Sequence, residues 1–513
     1  MAVESVSVVP PHVEAMKTPV LEKIAGGFGQ AISSSSKEAQ DHVNQGLDHL
    51  HAGWEFEACR NFSAAAKLDP NCLMAHWGIV MSTFSQTPET RAASDAAALR
   101  MVELIESGAG SGLERGYAYG LMKYLETGPS EAANAFHKVA KEFPNDIQAP
   151  IFAALFGRAG YDAEGAPLPD EEAAQKQLEK LAGAQPENPV PVHALLSMRA
   201  EAGDLTPFLA DARRLVAMRP GYAPYLHLLG HYEWRCGNHP QAVEAFSNAS
   251  ASYQSWMGRN DATLADCPEF LRSESYRVVA MNSTGDFDKA YIEARQLAAL
   301  PYPENRPDSA GLRMMLWETK TLPARLLLDR DKPGNAQEAA ASLPSVNEVK
   351  PFRQHCLAYW WIDGLRISLD ARRLINLGKL EQARFSIDAL TNHGESMAAN
   401  QDLAKVTGER SEWVRSFKAL EVIASDLRGL LALKGPKSGR GSAYNWFASA
   451  AERQQRATML HPPLLLTPMH NRLGFYHLET GETEKAIGNF SRALADRPGD
   501  PRALKGLESA RSR

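Results

Sequence analysis

Three histidines have the spacing to act together. His193 and His227 stand 34 residues apart, and His231 follows one helical turn after His227. Side chains four apart on a helix share a face. A step of 34 residues returns to the same place in the next copy of a helix-pair repeat. In such arrays the fifth and ninth positions of the first helix face the concave groove. His193 and His227 take the fifth and His231 the ninth, so three imidazoles could converge as a donor set for zinc or copper. The competing readings pack them inside the array or use them to line a groove for a ligand. No carboxylate ligand is identifiable beside them, and Cys236 and His239 lie just beyond, at the turn. Trp234 and Arg235, twelfth and thirteenth in the same helix, also point to the groove, and Trp with Arg is a usual pair in peptide recognition. Tyr232 beside them reads as core.

Other chemistry is missing. The chain carries no Gly-x-Ser-x-Gly, no phosphate loop and no dinucleotide fingerprint. His227-Leu-Leu-Gly-His231 lacks the glutamate of a His-Glu-x-x-His zinc site, and Glu233 has the wrong spacing to replace it. Tyr359-Trp360-Trp361 point in three directions, so they read as helix packing rather than a stacking platform. The expected function is therefore non-catalytic: a scaffold that binds a peptide, protein segment or other ligand through a groove lined by His193, His227, His231, Trp234 and Arg235. No cofactor is expected. The alternative is a metal carrier or metal-dependent hydrolase with zinc or copper on His193, His227 and His231.

The elements that must position these residues are helix pairs. Tyr222 to Ala249 holds Leu229-Gly230, a turn at Gly237, Ala242-x3-Phe246 and Ala249. The same Ala-x3-Phe recurs at Ala58/Phe62, Ala132/Phe136 and Ala486/Phe490, and Pro70, Pro144 and Pro498 stand eight residues after three of the phenylalanines. Small residues let two helices approach, phenylalanine fills the gap, and proline ends the second helix. This pattern resembles the tetratricopeptide repeat (TPR). Degenerate copies follow Gly203, Gly285 and Gly378, and no run alternates as a strand would. The resemblance implies an all-α fold, a right-handed superhelical solenoid of TPR and TPR-like helix pairs. Such arrays leave a long concave surface. The fifth and ninth positions of the first clear copy are Val43 and Leu47 rather than the Lys and Asn of a chaperone-tail clamp.

Most of residues 40–510 also resembles a group of bacterial TPR proteins of largely unassigned function. The matching segments are Leu68 to Ile79 with Trp77-Gly78, Glu114-Arg115, Phe143-Pro-Asn-Asp146, His227-x3-His231-x3-Arg235-x-Gly237, and Pro462-Pro463 with Leu473-Gly474. That group often carries histidines in the helix that here reads Glu-Ser-Tyr-Arg-Val over Glu274–Val278.

Bulk properties set the remaining limits. A chain of 513 residues exceeds one compact core, so it is several domains or a repeat array. Its net charge of −6 is spread thinly, which argues against nucleic acid or an anionic membrane as the main partner. The one compact basic run, Lys434 to Arg440, reads as a solvated linker. No apolar run is long enough to cross a bilayer. Five cysteines, an odd number without a Cys-x-x-Cys pair, argue against a disulfide framework, and Cys59 and Cys72 read as small buried groups. The expected organisation is a flexible leader over 1–36 with a helix near Val20–Ile24. A TPR-like array over 37–300 and irregular helical repeats over 301–433 follow. Residues 434–513 read as a linker, a last TPR and a polar closing helix near Arg502–Ala510. The expected partner is a protein or peptide, with a homo-oligomer as an alternative. The sequence as given reads as cytoplasmic, or as exported if a leader has been removed.

Overall fold

Each signature phenylalanine sits where a glycine has left room for it. A Cβ on Gly46 would lie 2.8 Å from the Phe62 ring, and one on Gly78 would lie 2.2 Å from it. Phe62 is thus wedged between the first helix of its own repeat and the first helix of the next. Phe136 against Gly120, Phe246 against Gly230, and Phe490 against Gly474 and Gly506 repeat the arrangement. All four phenylalanines are fully buried, as are Ala58, Ala132, Ala242 and Ala486. The close approach is what the Ala-x3-Phe spacing encodes.

The computed structural model describes residues 6–22, 29–85, 87–301, 305–332, 334–349 and 356–512. Among these the protein is all-α, with one isolated bridge between Tyr161 and Pro167 and no named strand. Short turns join the helices in antiparallel TPR-type pairs. Lys37–His51 with Glu55–Leu68, Gly112–Thr127 with Pro129–Glu142, and His470–Thr480 with Thr483–Asp496 are the regular copies. Pro501–Arg511 closes the chain, one residue longer at each end than the sequence indicates.

Packing divides the chain into two units. One holds residues 1–229 and 248–269, the other residues 230–247 and 270–513. The expected boundary at 300/301 does not coincide with this division. The supposed linker over 434–442 is the turn of another helix pair, Arg410–Lys434 with Ser442–Arg453. Ala443 and Phe447 are a further Ala-x3-Phe copy, and a Cβ on Gly429 would meet the Phe447 ring at 2.3 Å. The 25-residue first helix of this pair hides the period.

The leader is not loose where it is described. Val9 and Val13 pack with Cys59, and Ile32 joins the core of the first helices. Ser34 Oγ donates to Asp69 at 2.6 Å and Ser33 N donates to Glu114 at 2.7 Å. The expected helix at Val20–Ile24 lies partly outside the described residues, and Val20–Glu22 carry none. Parts of the expected loops at 301–307 and 329–351 also lie outside them.

Candidate peptide-binding site

The sequence places five side chains on an open groove wall, and the structure buries all five. In the first unit His193 stacks on Tyr225, ring centroids 5.2 Å apart, with its ring nitrogens 3.3 and 3.5 Å from Ser197 Oγ. Burial drives its pKa down to about 4, with a smaller influence from His51. Burial likewise takes His51 to about 4, although Gln148 accepts at 3.1 Å from its ring. Both imidazoles are thus neutral at neutral pH. His227 is buried in the same unit.

His231, Trp234 and Arg235 belong to the second unit, and the first two of them meet on one tyrosine. His231 Nδ1 lies 3.1 Å from the Tyr276 hydroxyl. Trp234, 1% exposed, lies edge-on to the Tyr276 ring at 5.9 Å and donates Nε1–H to Ser283 Oγ at 3.1 Å. Arg235 is buried, and desolvation followed by the nearby Arg456 lowers its pKa. Among the described residues no group of three or more His, Cys, Asp or Glu side chains is placed to hold a metal ion. Of the aromatic trio, Trp361 is fully buried, while Tyr359 and Trp360 are half-buried.

Tyr276, on which His231 and Trp234 meet, is itself bound by a segment far along the chain. Residues 454–469 form a non-helical strap between two helices of the second unit, held mainly by its main chain. The Tyr276 hydroxyl donates toward the carbonyls of Thr458 and His461, the latter at 2.9 Å. Arg325 donates to the carbonyls of Leu464 at 3.0 Å and Pro463 at 2.6 Å. Arg497 donates to that of Leu466 at 2.9 Å, and within the strap Gln454 donates to that of Thr467 at 2.9 Å. The His461 ring lies edge-on to Trp317 at 5.0 Å and 3.1 Å from Glu412. Burial raises the Glu412 carboxyl, but His461 and Arg272 outweigh it and bring it down to about 2.

The first unit holds an extended segment in the same manner, and here it is the leader. Gln45 Oε1 accepts from Glu22 N at 2.7 Å while its Nε2 donates to Val20 O at 2.9 Å. Asn44 repeats this two-way grip on Gln30, accepting from its N–H at 3.2 Å and donating to its carbonyl at 3.1 Å. An amide side chain matches the donor and acceptor of a peptide unit, so it holds an extended chain without regard to its side chains. Beside Gly29 and Gln30 an open cavity of about 530 Å³ is bounded by Phe143, Asp146, Asn188 and Val190. Sequence reading missed Asn44 and Gln45. Their signal was faint: two adjacent amides on a first helix that was already recognisable.

No protein-family model matches the chain, and no curated protein matches it. Among solved structures it is similar to the TPR domain of P58(IPK), at 13% identity over 92% of this chain and 97% of that one, TM-score 0.21. It is also similar to a human IFIT1 dimer with m7Gppp-AAAA, at 14% identity over 94% and 96%, TM-score 0.39. A third is yeast Tom70, at 10% identity over 93% and 90%, TM-score 0.26. The TPR-type architecture rests on the glycine–phenylalanine packing of the helix pairs themselves. No helix among the described residues is long and apolar enough to cross a membrane.

Proposed function

We propose that this chain is a non-catalytic TPR-type scaffold that binds an extended peptide or protein segment through the groove-facing helices of its first unit. One observation carries the reading: in the first unit Gln45 takes both an N–H and a C=O of an extended segment, and in the second unit Arg325 and Arg497 take the carbonyls of another. Surfaces built this way take an extended ligand and leave specificity to a few side-chain pockets. In this reading His193 and His227 of the first unit, and His231, Trp234 and Arg235 of the second, are packed side chains rather than contact surface.

The test uses the full chain in its source cell, cross-linked in place and purified. The reading expects one partner in near-stoichiometric amount, with its cross-links confined to an extended segment against Lys37–His51 and Glu55–Leu68. Elemental analysis of the same preparation supplies the opposite outcome. Stoichiometric zinc or copper that disappears in both His227→Ala and His231→Ala would replace this reading with a metal site.

A further inference from the structure

Residues 17–22, Lys-Thr-Pro-Val-Leu-Glu, lie against the first helix pair in an unusual way. Pro19 is buried, while Lys17, Thr18, Val20, Leu21 and Glu22 are exposed, Val20 to 78%. What holds the stretch is therefore its backbone and one proline. Arg60 Nη2 donates to Lys17 O at 2.8 Å, and Gln45 takes Val20 O and Glu22 N. At the edges Lys17 pairs with Asp261 at 2.5 Å, both exposed, a pair worth little, and Glu22 stands 3.9 Å from the largely covered Arg219.

The groups that do the gripping are also held by neighbours within the first unit. Gln45, Arg60, Asn61 and His42 are all buried. Gln45 Nε2 also donates to Asn61 Oδ1 at 3.0 Å, and His42 Nδ1 lies 3.1 Å from the same oxygen. Asn61 Nδ2 donates to Glu57 O at 2.9 Å. Arg60 is held by Glu57 at 2.5 Å, by Asn260 Oδ1 at 3.0 Å, and over the Trp256 ring at 5.4 Å. Charged and amide groups this deeply buried are costly unless satisfied, and the segment's carbonyls supply acceptors to Arg60 Nη2 and Gln45 Nε2. A buried polar cradle filled by exposed, side-chain-indifferent residues has the form of a binding site, not of a core.

We infer that Gln45 and Arg60 form a site for an extended, proline-containing segment of a partner protein, and that residues 17–22 are its built-in occupant. This rests on the scaffold reading above and names the site and ligand class within it. Proline suits the role because its fixed φ lowers the cost of ordering an extended peptide. The strap at 454–469 is gripped by similar chemistry but is anchored by helices at both ends. On its N-terminal side the 17–22 stretch follows the single helical turn Pro11–Glu14, whose Val13 packs with Val9 and Cys59, so leaving the cradle breaks its own contacts but no helix of a repeat. Tethered beside its site, it has an effective concentration on the order of millimolar. A partner must outcompete that.

Fluorescence anisotropy of a labelled peptide, Glu-Ala-Met-Lys-Thr-Pro-Val-Leu-Glu, titrated with the full chain tests this. Pro19→Ala in the protein weakens the built-in occupant and leaves Gln45 and Arg60 intact. That variant is expected to bind the peptide about tenfold tighter than the parent, since removing a competing bound state raises apparent affinity. The same peptide with alanine for proline, offered to the same variant, is expected to bind roughly tenfold more weakly. This second comparison changes only the peptide, so misfolding cannot produce it. Equal affinity of parent and Pro19→Ala, equal affinity of the two peptides, or exchange of the segment between copies to give a dimer each overturns the inference. A null result beside successful partner capture sinks this site and leaves the scaffold reading standing; loss of both sinks both.

Discussion

His193 gives the sharpest test of the packing described here. Its folded pKa of about 4 lies below its ordinary 6.5 because burial disfavours the imidazolium. The unfolded chain therefore binds the proton more tightly than the folded one. Stability from this residue is complete above pH 6.5 and is lost as the pH falls from 6.5 toward 4. The gap of about 2.5, at 1.36 kcal/mol for each pH unit, sets a ceiling of about 3.4 kcal/mol. By pH 5 the unfolded imidazole is almost fully charged and the folded one mostly neutral, so about 2 kcal/mol of this has gone. His193→Asn removes the titration and keeps a polar group one turn before Ser197. Urea unfolding followed by circular dichroism at pH 7.5 and 5.0 should show the parent losing about 2 kcal/mol more than the variant. Glu57, raised to about 7 by burial, works in the opposite direction, but it does so in both proteins and cancels in the difference. Asp329 and Glu412, both held near 2, titrate below this window. Nuclear magnetic resonance of labelled imidazoles reads the folded pKa directly. Titration of His193 near 6.5, or identical pH dependence in parent and variant, refutes the argument.

Gly78→Ala drives a Cβ to 2.2 Å from a fully buried Phe62 and should cost about 1–3 kcal/mol, read as a lower urea midpoint. Ala242→Leu or Ala486→Leu overfills the same kind of contact and should cost a similar amount, about 1–3 kcal/mol; two unchanged midpoints would show the repeat register to be misplaced. Trp234→Ala empties a core position and should cost about 3–5 kcal/mol, measured by unfolding. An unaltered midpoint would put Trp234 on the surface after all. Glu318 and Arg325 pair at 2.5 Å, both at most 1% exposed, so Glu318→Ala strands a buried guanidinium at a cost of about 3–5 kcal/mol. Because Arg325 also holds the strap, hydrogen exchange over residues 454–469 should rise in that variant, and unchanged protection would detach the pair from the strap.

The repeat was legible because its contact is local. Ala242, Phe246 and Gly230 meet within one hairpin, and each residue type has a steric reason for its position, so the spacing alone fixes the packing. The copy at Ala443 and Phe447 escaped notice because its partner Gly429 lies inside a 25-residue helix followed by Gly435-Pro436, which reads as a linker. The site was harder for a different reason. Repeat register does set which residues of a helix look inward, and His231 and Trp234 do look inward. What they meet was decided only in three dimensions, because the strap that passes over Tyr276 comes from beyond residue 453. Its carbonyls, like those of residues 17–22 under Gln45 and Arg60, are groups that every residue possesses. A grip on the main chain leaves no side-chain signature in the segment that is held. The sequence by itself thus determined the helix pairs and their inward faces, while occupancy of those faces belonged to the tertiary structure, since backbone capture across long separations is invisible to residue type and spacing.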